Sequence, residues 1–191
     1  MAHAARDAVV LITPDEFLVY PLSDEQAELV RGEVRVTPPP GGPHGRIATN
    51  VVIRLHAHVE HHNLGWVFAD GVGYELLQLP RTVRSPDASF VRAGRLPVEG
   101  IAPGFLKLAP DLAVEVLSRS ESATDVEEKL DDYLTCGTAL IWVIDPVRRT
   151  VMIVASDAPV RWLRETDTLD GGSVLSGFSC AVAELFKGVA R

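Results

Sequence analysis

Two carboxylates in this chain stand where a carboxylate is expensive. Glu115 lies in the middle of Asp111-Leu112-Ala113-Val114-Glu115-Val116-Leu117, and Asp87 follows Pro86 at the head of the short apolar run Asp87 to Val91. A charged oxygen surrounded by Ala, Val and Leu is costly to bury unless something positive compensates it. A hard divalent cation does so, because oxygen ligands from two adjacent strands can converge on it. On spacing alone, a buried salt bridge to an arginine, or a Glu115 at the exposed end of a sheet, explains the pattern equally well.

The elements that must position this pair are legible in outline. Thr13-Pro14-Asp15-Glu16 reads as the capped start of a short helix, stopped by Pro21. Glu28 to Val30 and Glu33 to Val36 flank Arg31-Gly32 as a hairpin. Pro38 to Pro43 reads as loop, and Arg46 to His62 carries apolar residues at three- and four-residue intervals, the spacing of one helical face. Trp66 to Phe68 and Tyr74 to Leu79 are predicted as two antiparallel strands. Asp87 to Val91 and Asp111 to Leu117 suit central strands buried on both faces. A capping box at Thr124-Asp125-Val126-Glu127 opens a second helix ending near Gly137, and Leu140 to Ile144 is another buried strand. Thr150 to Ala155 and Val160 to Arg164 read as edge strands, and Val182 to Phe186 as a closing helix. This mixed order predicts an α/β (α+β) fold, a mixed central sheet flanked by helices.

A length of 191 residues and 47% apolar content suit one domain, taken as 1–191, with a substantial core. No run of about 18 uncharged apolar residues exists, and Met1 to Asp7 lacks an export signal, so the expectation is a cytoplasmic protein with no membrane partner. Cys136 and Cys180 show no C-x-x-C spacing and read as small core residues. A net charge of −8 weighs against a broad nucleic-acid surface, although charge can be segregated and metal-site carboxylates contribute to the total. Arg81, Arg84, Arg92, Arg95, Lys107 and Arg119 cluster in sequence around the acidic strands, which suits a local basic rim and, equally, scattered surface charges. Tyr133 and Trp142 sit at apolar-periodic positions and read as packing. His58 and His62 are four apart but lack the glutamate of an H-E-x-x-H helix, so they read as a polar helix end.

Ser85-Pro86-Asp87-Ala88-Ser89-Phe90-Val91, Pro110 to Ser118, Asp125-Val126-Glu127-Glu128-Lys129-Leu130 with Tyr133 and Gly137, and Trp142-Val143-Ile144-Asp145-Pro146 together resemble the Uma2 family of restriction-endonuclease-like proteins. That family belongs to the PD-(D/E)XK nuclease superfamily. Gly32-Glu33, His44-Gly45 and the region from Asp167-Thr168-Leu169 to Phe186 extend the likeness over nearly the whole chain. The resemblance implies a restriction-endonuclease-like fold in which Asp87, Glu115 and the backbone carbonyl of Val116 hold Mg²⁺ (or Mn²⁺). It further implies hydrolysis of phosphodiester bonds in DNA, and, by analogy with nucleases that must cut two strands, a homodimer.

One departure is plain: the superfamily pattern places lysine two residues after the second acid, where this chain has Leu117. Lys129, on the flank of the apolar stripe of its helix, is the candidate substitute, with a surface pairing to Asp125 as its ordinary alternative. Glu33 and His44 are accessory candidates: Glu33 as a third carboxylate near the metal or a solvated turn residue, His44 as a phosphate contact or a helix cap. The competing functional reading is a catalytically inactive binding or assembly module that keeps the fold without the chemistry.

Overall fold

In the computed structural model, residues 10–21, 26–97, 99–119 and 121–190 are described. Met1 to Asp7, read above for export signals, lie outside them. In chain order the elements are α1 (Pro14–Leu18), β1 (Gln26–Val30), β2 (Glu33–Thr37), α2 (Gly42–His62), β3 (Gly65–Ala69), β4 (Tyr74–Glu75), β5 (Val83–Arg84), β6 (Ala88–Arg92), β7 (Leu112–Val116), α3 (Ala123–Thr135), β8 (Leu140–Asp145), β9 (Thr150–Ala155), β10 (Ala158–Arg164), β11 (Thr168–Gly171), β12 (Leu175–Ala181) and α4 (Val182–Leu185).

Six strands form the main sheet in the order β10-β9-β8-β7-β6-β3, with β7 and β8 parallel and the other pairs antiparallel. Side-chain alternation sorts its residues between two cores. Leu112, Val114 and Val116 of β7, with Leu140, Trp142 and Ile144 of β8, pack on one face with Ile47, Val51, Leu55 and Val59 of α2 and with the β11–β12 hairpin. Ala113, Ile141 and Val143 point to the other face, against Tyr133 of α3 and Tyr74 of β4. A second sheet, β2-β1-β5-β4, closes that side, its own small core built on Phe17, Leu29 and Val83. The hairpin between β1 and β2 turns through Arg31 and Gly32 at φ of 52° and 90°, the left-handed region that glycine enters without penalty.

Several boundaries differ from the sequence reading. Helix α2 begins at Gly42 and takes Pro43 into its first turn, where a missing N–H costs nothing because it has no intrahelical partner. The capping box of α3 is Ser122 with Asp125, two residues earlier than predicted: the Asp125 carboxylate accepts from both the N–H and the hydroxyl of Ser122. Strands β3 and β4 do not pair with each other; β3 joins β6 in the main sheet, and β4 joins β5. Strand β9 is internal, leaving β10 as the edge with Trp162 exposed. The β11–β12 hairpin falls in a stretch without clear alternation and was not predicted. Both cysteines are free, Cys136 buried and Cys180 half-buried.

Candidate active site

The antiparallel register Ala88↔Val114 and Ser89↔Ala113 continues one step to set Asp87 opposite Glu115. Directly opposed residues of an antiparallel pair project to the same face, and both carboxylates open into one cleft of about 380 Å³ on the α3 side of the sheet. They are nearly buried, at 8% and 5% exposure.

Glu115 is held from α3. Lys129 Nζ donates to its Oε2 at 3.0 Å, and the Tyr133 hydroxyl donates to its Oε1 at 2.8 Å. Lys129 and Tyr133 are four apart and so share a helix face. The same ammonium donates to Glu121 Oε1 at 2.9 Å, while Glu121 Oε2 accepts the Ser118 N–H at 2.9 Å. Burial pushes the Glu115 carboxyl up to about 7; Lys129 opposes the rise, and the charges of Asp87 and Glu28 add to it. Lys129 itself is held well above its ordinary value: burial works against its charge, but Glu115, Glu28 and Glu121 more than offset this.

Asp87 is held differently. Its Oδ2 accepts the Val116 N–H at 2.6 Å and lies 3.3 Å from His44 Nε2, brought in by the first turn of α2. Burial pulls the His44 imidazole down, but the hydrogen bond to Asp87 and the charges of Asp87, Asp70 and Glu121 override it, so the group protonates more readily than a free histidine. Asp70, fixed by Gln26 Nε2 at 2.6 Å, also lines the cleft; burial and then the Asp87 charge raise its carboxyl.

The profile of the Uma2 family, described as "Putative restriction endonuclease", matches residues 14–183. The chain belongs to the Uma2 family. Its fold also superposes on the crystal structure of a "putative nuclease belonging to DUF820" from Anabaena variabilis, with a TM-score of 0.78, 25% identity, and coverage of 92% of this chain and 97% of that one. Among curated proteins no significant match is found. The family read from the sequence motifs is therefore the right one, and the mixed sheet flanked by helices is a nuclease fold.

Within this Uma2 fold, Asp87, Glu115, Lys129 and His44 come together, and Glu33 does not. Glu33 is exposed at the start of β2, and the hairpin carboxylate that lines the cleft is Glu28, one strand over. Glu28 accepts from Arg84 Nη1 at 2.9 Å and from the Ser85 N–H at 2.9 Å. Arg84 is fully buried, and its Nε also donates to Asp132 Oδ2 at 2.8 Å, tying the small sheet to α3. Arg31 adds a 2.8 Å bond to Asp132 Oδ1 and Arg35 pairs with Glu128 on the same helix. Leu117, where the superfamily pattern has lysine, packs into the α3-side core.

The sequence reading missed Glu28, Asp70, Glu121 and the hydroxyl role of Tyr133. Only Tyr133 carried a usable signal, its four-residue offset from Lys129. Four of the six clustered basic residues are engaged in ion pairs. Arg84 is consumed by the buried network, Arg92 and Arg95 pair with Asp111 at the far end of the β6–β7 pair, and Lys107 pairs with Glu75. His58 and His62 stack with ring centroids 4.3 Å apart, and His62 Nδ1 meets the His58 carbonyl at 2.9 Å, as a capped helix end. Among the described residues no group of three or more His, Cys, Asp or Glu side chains is arranged to hold a metal ion.

Proposed function

We propose that this protein is a divalent-metal-dependent endonuclease that hydrolyses phosphodiester bonds in DNA. One observation carries the reading: Asp87 and Glu115 face each other at the floor of a cleft with the Lys129 ammonium on Glu115. The donor set fits Mg²⁺ or Mn²⁺. Mg²⁺ is commonly bound through one or two carboxylates and keeps several waters, so a larger protein cage is not required. The Asp87 charge raises the proton affinity of Glu115, and a cation between two opposed acids relieves such repulsion. Asp87, Glu115 and the Val116 carbonyl would hold it, and when bound it supplies Lewis acidity to the phosphoryl oxygens.

The chain's own groups do the rest. Lys129 is close enough to Glu115 to orient a water through its remaining N–H and to stabilise negative charge developing on the phosphate. Tyr133 fixes the second oxygen of Glu115, so the carboxylate cannot swing away. His44, whose protonated form is favoured beside Asp87, is placed to give a proton to the departing oxygen. The inactive-module reading rests on Leu117 and on the net charge of −8; the amine that Lys129 brings to Glu115 favours the enzyme instead.

The test is incubation of circular single-stranded and supercoiled double-stranded DNA with Mg²⁺ or Mn²⁺, followed on a gel. Wild type cuts at least one of them, and Lys129→Met cuts about 10²-fold more slowly, the cost of losing one preorganised charge-stabilising donor. Absence of cutting of either DNA with either metal sinks the proposal.

The Glu115 carboxyl gives a pH dependence. Its proton must leave before the oxygen can hold a metal, and it leaves near pH 7. Mg²⁺ affinity is therefore level above pH 7 and falls below it, by up to about tenfold per pH unit for one competing proton. Calorimetry in buffers of different ionisation enthalpy should show close to one proton released per ion bound at pH 6 and almost none at pH 8. An affinity that is flat from pH 5.5 to 8.5 contradicts the assignment of Glu115.

A further inference from the structure

The cleft has two chemically distinct linings. Glu28, Asp70, Asp87, Glu115 and Glu121 face it, against a single cation, Lys129, among the described lining residues. Besides the polar Gln26, Thr37, Ser85 and Ser118, the lining has an apolar group: Leu18 at the end of α1 and Tyr20 just after it, Pro38 and Pro40 after β2, and Phe105. Phe105 stacks on Phe17 with centroids 5.7 Å apart. It lies so close to the backbone that a Cβ at Gly73 would fall 2.4 Å from its ring, so the absence of a side chain at Gly73 is what lets the ring sit there. Leu18 and Tyr20 stay 51% and 43% exposed, more than core packing leaves to such side chains.

We propose that the cleft takes single-stranded nucleic acid, one base lying on the Tyr20–Phe105 wall while the adjacent phosphate reaches the carboxylates, and that it excludes intact duplex. This rests on the nuclease reading of Asp87 and Glu115. The reacting groups are almost buried, and a recess of about 380 Å³ has the size of a small-ligand pocket. A flexible strand can feed one nucleotide into it; the rigid double helix keeps its phosphates on a wide outer surface. Duplex binding also draws on many phosphate contacts from lysine and arginine. Here Arg84 is spent on Asp132 and Glu28, and Arg92 and Arg95 pair with Asp111. Aromatic stacking adds affinity without regard to base identity, since every base has a π-face.

The experiment is fluorescence anisotropy with a 5′-fluorescein 12-nucleotide DNA strand and the blunt duplex of the same sequence, in Ca²⁺ to fill the metal site. The single strand binds at least tenfold more tightly than the duplex. Tyr20→Ala weakens single-strand binding about tenfold, Tyr20→Trp restores it, and neither changes duplex binding. Duplex binding equal to or tighter than single-strand binding, no single-strand binding, or indifference to Tyr20→Ala overturns the proposal. Cleavage with Mg²⁺ reads the nuclease assignment separately. Metal-dependent cutting of duplex that Tyr20→Ala leaves intact discards the single-strand cleft and keeps the nuclease. Tyr20-dependent strand binding with no cutting in Mg²⁺ or Mn²⁺ discards the nuclease.

Discussion

Asp87→Asn is expected to lower strand cleavage by at least about 10³-fold, roughly 4 kcal/mol of transition-state stabilisation, while moving the melting temperature by only a few degrees. The separation of the two effects follows from geometry. An asparagine keeps an oxygen for the Val116 N–H, so the buried amide stays satisfied. The change removes the negative charge, and with it half of the acidic pair that would hold the metal. Two electrostatic effects on the fold run in opposite directions: His44 loses its partner, and Glu115 loses one of the charges that raise it. The Glu115 carboxyl should titrate lower in the variant, a shift that a ¹³C-labelled glutamate spectrum can follow. If Asp87→Asn cuts at the wild-type rate, Asp87 is a structural residue and the site lies elsewhere.

Arg84→Ala should destabilise the fold by about 3–5 kcal/mol. For a domain of this size that corresponds to a drop in melting temperature of about 6–20 °C. Arg84 is 2% exposed, and Asp132, which it faces, has no exposure at all. Removing the guanidinium leaves Asp132 with Arg31 alone, and leaves Glu28 with only the Ser85 N–H. The penalty is that of stranded charge rather than of a lost attraction, which sets up a second measurement. Arg84→Met combined with Asp132→Leu replaces the pair by apolar volume and should be much less destabilising than the sum of the two single changes. Additive losses would show that the network contributes by packing and not by charge.

The sequence allowed some of this to be read and concealed the rest for identifiable reasons. Glu115 announced itself because a carboxylate buried among Leu, Ala and Val calls for a positive partner, and Asp87 because Pro86 fixes where its strand begins. Lys129 was reachable through the gap at Leu117, which posed the question that a helical lysine answers. Glu28 and Glu33 were indistinguishable in sequence, since both flank the same hairpin turn. What separates them is that β1 pairs with β5 and so brings Arg84 to Glu28, a non-local pairing that no short pattern encodes. Asp70 sits in a glycine-flanked turn with nothing to set it apart. The β3 and β4 pairing was misjudged because nearness in sequence favours a hairpin, while the main sheet offered β3 a longer partner in β6.

Lys129 reaches its carboxylate from a helix, whereas a lysine two positions after Glu115 would share the rigidity of one strand. The spacing of amine and acid therefore depends on how firmly α3 is seated, and the seating draws on the Arg84–Asp132 pair as well as on apolar packing against the main sheet. A slight lifting of that helix, far short of unfolding, would disarm the chemistry while the sheet stayed whole. Amide exchange in α3 would then report on readiness to react, independently of global stability.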